Sequence, residues 1–186
     1  VGVKAGHLQA ADGELLLEKP EANPFLERFY RDPRGASLPT QLFFLFQRVQ
    51  QIEQLRQSDI FAETRISDFL INKDRLFAEI NLDQAELALY DKVAESLAFE
   101  APAPDLVVYL QAPVDTLQFR IARRGIDFEQ RIGRRYLERL TEAYARFFHD
   151  YDGAPLLIVN AAVIDPVHND AHFGLLLEEI GRIRSG

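Results

Sequence analysis

Short, nearly unbroken apolar runs alternate along this chain with longer stretches of helical periodicity, and no other feature constrains the fold so tightly. Segments 14–18, 63–68, 105–111 and 155–160 read as strands. "DLVVYLQ" and "PLLIVN" are apolar almost throughout, the pattern of parallel strands buried on both faces. Helical segments lie between them. Asn23-Pro24 offers an N-cap followed by proline at the first helical position, opening a helix through about Tyr30. Leu42, Leu45, Phe46, Val49, Ile52 and Leu55 recur at helical spacing within 38–56. Segments 83–97, 114–124, 136–151 and 170–183 follow the same period. "APAP" at 101–104 is a stiff connector, and no internal repeat is present. Strand–helix alternation of this kind predicts one α/β domain over residues 1–186 with a mostly parallel sheet.

Composition narrows what such a domain does. At 186 residues the chain is long enough for one sizeable core. No apolar run is long enough to span a bilayer, and no signal-peptide pattern opens the sequence. The absence of cysteine excludes disulfides and thiol chemistry and fits a cytoplasmic protein. A net charge of −8 argues against nucleic-acid binding, which needs a basic footprint. Methionine is absent as well, the mark expected of a sequence that is part of a longer one.

Several residues stand where chemistry is expected. In open parallel sheets, ligands bind beyond the carboxyl ends of the strands. Glu18, Asp68, Gln111 and Asn160 all fall on that edge. The run Leu15–Leu17 ends on Glu18, with Pro20 stopping the strand, so a core element delivers a carboxylate to the ligand edge. "RIARRGIDFEQRIGRR" packs six of the 21 Lys and Arg residues into sixteen positions. Arg120 and Arg124 are four apart on one helix face before Gly125 breaks the helix, and two such guanidiniums suit the spread charge of a transferring phosphoryl group. Gln41 and Arg48 are seven apart, hence in line on an otherwise apolar face, where an amide and a guanidinium can pair with the edge of a nucleobase. His168 and His172 have the spacing of a metal pair but no third ligand, so they read as ordinary loop and helix-start residues. "VGVK" has Gly2 and Lys4 of a phosphate loop but neither the second glycine nor the Ser/Thr.

Together these stretches resemble the deoxynucleoside kinase family of P-loop enzymes, most like its bacterial deoxyadenosine/deoxyguanosine kinase-like branch. The likeness rests on "LLLEKPEANPFLERFYRDP", "LPTQLFFLFQRVQQ", "SDFLINKDRLFA", "PDLVVYLQAPVDTL", "RIARRGIDFEQRI" and "YLERLTEAYARFF", in order and with spacing kept. It implies a P-loop kinase fold with a five-stranded parallel sheet flanked by helices and an arginine-rich helical lid at about 120–135. It implies ATP and Mg²⁺ as cofactors, a deoxynucleoside as substrate, and a homodimer formed through the helices at 38–56 and 83–97. By the resemblance, Glu18 is the general base on the 5′-hydroxyl, and Tyr30 and Glu129 share the 3′-hydroxyl. Gln41 and Arg48 then read the base, while Arg120 and Arg124 hold phosphates.

Three departures accompany the match. The family's E-R-S motif is "SDF" here, leaving Asp68 as its acid. The acid partnering the base-reading Arg falls near Asp74 with a one-residue slip that makes Lys73 a competing match. Ile126 replaces a further lid arginine. Two rival readings remain: a nucleoside monophosphate kinase, for which "EKPEANPFLE" is too acidic, and a non-catalytic nucleotide-binding protein, suggested by the incomplete loop. In a sheet of this kind the first strand is central and feeds the phosphate loop. The sequence therefore predicts an apolar strand before Val1 and a complete loop, with residues missing around Val3 to Gly6.

Overall fold

A computed structural model describes residues 14–57, 64–97 and 102–184. The expectations for the phosphate loop, including Gly2 and Lys4, lie outside these residues. Four strands run β1 (Glu14–Leu16), β2 (Arg65–Ser67), β3 (Val107–Gln111) and β4 (Leu156–Asn160). Seven α-helices accompany them among the described residues: α1 (Leu26–Arg31), α2 (Ser37–Gln57), α3 (Asn72–Asn81), α4 (Gln84–Leu97), α5 (Val114–Arg124), α6 (Arg134–His149) and α7 (Asp170–Arg184).

The strands form two parallel pairs. In one, Glu14, Leu15 and Leu16 lie opposite Arg65, Ile66 and Ser67. In the other, Val107 through Gln111 run in register with Leu156 through Asn160. The parallel α/β class predicted from the alternation is thus what the chain builds, as two two-stranded sheets among the described residues. Burial on both faces does not hold throughout: Ile158 in β4 is 53% exposed.

The helices pack by their apolar faces. Leu45 and Val49 of α2 meet Ala78 of α3 and Tyr90 of α4, forming one core cluster. Leu26 and Phe29 of α1 form a second with Ala36. A third stacks Tyr109 of β3 on Phe148 of α6, ring centroids 4.3 Å apart. Large rings contribute heavily to burial, and such offset contacts add to it.

Local chemistry sets the entrances to these helices. Asn23 does not cap α1 as its spacing predicts. Its Oδ1 accepts from Phe25 N–H at 3.0 Å, closing a turn, and its amide donates to the Thr40 carbonyl at 3.2 Å. The helix starts three residues later at Leu26, after a 3-10 turn at Pro20–Ala22. Gly35 takes φ +68°, a left-handed turn that leads into α2 at little cost only for glycine. Helix α3 has no counterpart in the sequence reading, and it turns out to carry part of the site. No helix among the described residues is long and apolar enough to cross a membrane.

Candidate active site

The end of β1 is pinned from two directions. Glu18 N–H donates to Asp68 Oδ1 at 2.8 Å, and Asp68 N–H donates to the Leu16 carbonyl at 3.2 Å, so the Asp68 side chain holds the Glu18 backbone while β1 holds that of Asp68. From the other side α2 grips the same segment. Gln51 donates to the Leu17 carbonyl at 2.8 Å, Gln47 to the Lys19 carbonyl at 3.4 Å, and Arg48 Nη2 to the Glu18 carboxylate. One turn of helix thus holds three consecutive residues of extended chain. Sequence reasoning found Arg48 but not its two glutamine neighbours, which carry no signal that sets them apart from surface glutamines.

Arg48 is the hub. Its Nη1 also contacts Asp74 Oδ1, the guanidinium lies 5.4 Å from the Phe44 ring centroid and 5.9 Å from that of Phe69, and the side chain is 6% exposed. Gln41 is likewise buried two turns earlier on the same helix face, as their spacing predicts. Two carboxylates share one guanidinium in this low-dielectric setting. Burial pushes the Asp74 carboxyl up to about 7, against the pull of Arg48 and with the charge of Glu18 adding to the rise. Asp68 is raised too, first by burial and then by Glu18, with its backbone hydrogen bond opposing. Burial raises the Tyr144 and Tyr90 phenols, and both feel the charges of Asp74 and Arg48. Lys73, beside Asp74 at the start of α3, is lowered by burial and drawn back mainly by Glu18.

The second group of predicted residues gathers around the turn after α5. Gly125 ends that helix at φ +70°. The chain then forms a 3-10 turn at Glu129–Arg131, where Arg124 Nη2 lies 2.9 Å from Glu129 Oε2. Tyr30 of α1 stacks on Phe128, centroids 6.1 Å apart and planes 10° from parallel. Burial is the main cause raising its phenol, followed by Tyr136 and the negative charge of Glu129. Tyr30 and Glu129 are therefore neighbours, although they lie far apart in the sequence. Arg120 and Arg124 occupy one helix face but hold different partners: Arg120 donates to the Ala161 carbonyl beyond β4, and Arg124 meets Glu129.

The histidines have structural partners. His172 Nδ1 accepts from Asp165 N–H at 3.0 Å, and His168 Nδ1 lies 3.1 Å from Asp165 Oδ1. Among the described residues no group of three or more acidic, histidine or cysteine side chains is arranged for a metal.

Comparison with known proteins gives the family and the fold. A family model described as deoxynucleoside kinase matches residues 9–183. A deoxyguanosine kinase of Bacillus subtilis is 35% identical over 133 residues, covering 70% of this chain and 63% of that protein, so the match spans less than two thirds of the relative's length. A deoxyadenosine kinase of Lactobacillus acidophilus is 28% identical over 170 residues, 84% of this chain and 77% of that one. Among solved structures, a deoxyadenosine kinase from M. mycoides with bound dATP superposes with a TM-score of 0.80 at 25% identity, covering 96% of this chain and 91% of that one. The same enzyme with dCMP and dCDP gives 0.82 at 26% identity, over 97% and 92% of the two chains.

Proposed function

The chain belongs to the deoxynucleoside kinase family, and from that premise we propose that it transfers the γ-phosphoryl group of ATP to the 5′-hydroxyl of a 2′-deoxynucleoside. The observation that carries this reading is the strand-end carboxylate. Glu18 stands two residues past β1, oriented by Arg48 and backed by Asp68 through its own N–H. A sugar hydroxyl is a weak nucleophile, and a carboxylate within hydrogen-bond reach takes its proton as the phosphoryl group arrives.

The remaining roles follow the same geometry. Gln41 and Arg48, buried on one face of α2, line the position for the base, with Asp74 completing the Arg48 pairing. Tyr30 and Glu129 stand side by side to hold the 3′-hydroxyl. Arg120 and Arg124 flank the turn at Gly125, where a lid over the donor phosphates would close. Gly2 and Lys4 would belong to the phosphate loop. Asp68 has one oxygen engaged by Glu18 N–H, which leaves the other for a water on Mg²⁺, an ion that commonly binds through one or two carboxylates plus phosphates and water. Bound there, Mg²⁺ would neutralise charge on the donor phosphates.

The reading extends to a five-stranded sheet completed by a central strand, to a cytoplasmic location and to a homodimer. Exposed Phe46 on α2 and Leu89 on α4 support the dimer, since both lie on the helices expected at its interface. The test of the whole reading is a panel of the four deoxynucleosides with ATP and Mg²⁺, products identified by mass. At least one 5′-monophosphate is expected, and formation of none contradicts the proposal.

A further inference from the structure

The Lys73 ammonium sits near the acidic cluster without a hydrogen-bond or ion-pair partner among the described residues. Its N–H donates to the Leu70 carbonyl at 2.9 Å, which starts α3 directly after the Asp68 loop and turns the side chain toward α6. There the ammonium lies 5.7 Å from the Tyr144 ring centroid, within the range of a cation–π contact. The charges it feels most are Glu18, Arg48, Asp74 and Asp68. Arg48 is already committed to two of these carboxylates. Lys73 is thus a second cation of the cluster, partly withdrawn from water, with no carboxylate in contact. An ammonium is a compact, strongly hydrated charge, and such a placement is costly unless something anionic joins it.

The proposed reaction supplies that anion. As the donor's bridging P–O bond breaks and the new bond to the 5′-oxygen forms, the hydroxyl proton passes to Glu18. A phosphate then stands beside Glu18 and Asp68, whose backbone and side chain are joined. Arg120 and Arg124 are proposed for the donor phosphates, not the acceptor, and Arg123 lies near Asp165. Resting on the proposed acceptor chemistry, we infer that Lys73 binds the 5′-phosphate of the product, its ammonium meeting the group that Glu18 has helped to attach. Lys73 moves no proton in this step. It offsets the charge of a dianion formed among carboxylates.

The experiment compares two ligands on the full chain by calorimetry: the preferred deoxynucleoside of the panel and its 5′-monophosphate. In Lys73→Met, monophosphate affinity should fall about tenfold to a hundredfold, the scale of one charge-assisted hydrogen bond, while nucleoside affinity stays within about twofold. Lys73→Arg should recover most of the loss. Equal losses for both ligands, or no selective loss of the monophosphate, overturn the inference. Lys73→Gln, which keeps a polar side chain without the charge, repeats the comparison, and unselective loss in both neutral variants is equally fatal. If the unaltered chain binds neither ligand, the acceptor reaction itself fails and takes the role of Lys73 with it. If it binds the nucleoside and only the selectivity of the variants is missing, Lys73 alone is wrong.

Discussion

Arg48 and Arg134 each hold two acidic side chains, yet the first is 6% exposed and the second 54%. Arg48 joins Glu18 and Asp74 under the rings of Phe44 and Phe69. Arg134 joins Asp115 and Glu138 on the surface at the start of α6. The contrast separates the proposed acceptor region from the proposed lid. Separating Arg48 from its two buried carboxylates is costly, so the Glu18–Arg48–Asp74 contact is fixed before any ligand arrives. Surface pairs are screened by water and salt, so the contacts of Arg134 can exchange at little cost, as the proposed lid requires.

The largest effect on this comparison should come from Arg48→Met. Two carboxylates would lose their shared cation, and stability should fall by about 3–5 kcal/mol, as when one partner of a buried pair is removed. Denaturant unfolding measures it, and a loss no larger than for a surface arginine would erase the distinction between the regions. Next comes the proposed contact of Tyr30 and Glu129 with substrate. Tyr30→Phe and Glu129→Ala should each weaken 2′-deoxynucleoside binding by about threefold to tenfold, the scale of a single hydrogen bond. Analogues lacking the 3′-hydroxyl should be spared, and equal losses for both ligand sets would remove these residues from that role.

A smaller, pH-dependent effect belongs to Asp74. Its carboxyl is raised from 3.8 to about 7 in the folded chain. A raised folded value stabilises at pH below the unfolded value, and that contribution is lost as pH rises through about 7. Melting temperature should therefore drop from pH 5 to 8 more steeply in the unaltered chain than in Asp74→Asn, and identical slopes would contradict the buried-acid account. Arg134→Ala should give no resolvable change in melting temperature at any of these pH values.

Much of the acceptor region was legible in the sequence for a physical reason: burial leaves a periodic trace. Gln41 and Arg48 share a helical face with Leu45 and Ile52, and all four are buried. Leu15–Leu17 followed by Glu18 marks a core strand running out at a carboxylate. Helix α3 escaped notice because its first turn, Asn72 to Arg75, is polar throughout and its apolar residues begin only at Leu76. The grip of Gln47 and Gln51 on the chain after β1 depends on where α2 docks, which no local pattern encodes. The different partners of Arg120 and Arg124 are equally tertiary: a long guanidinium side chain takes whatever acceptor lies within reach, here the Ala161 carbonyl and Glu129. The Asn23 cap failed because Asn23 serves both a local turn and the Thr40 carbonyl, which delays the helix to Leu26.

The central claim is that the buried cluster holds Glu18 as the base for phosphoryl transfer. The most direct measurement is turnover and deoxynucleoside affinity of Glu18→Gln beside the unaltered chain, using γ-labelled ATP. The account predicts affinity within about threefold and label transfer to the 5′-position reduced by roughly 10²–10⁴-fold, the usual contribution of a general base. Near-normal transfer in Glu18→Gln would contradict it.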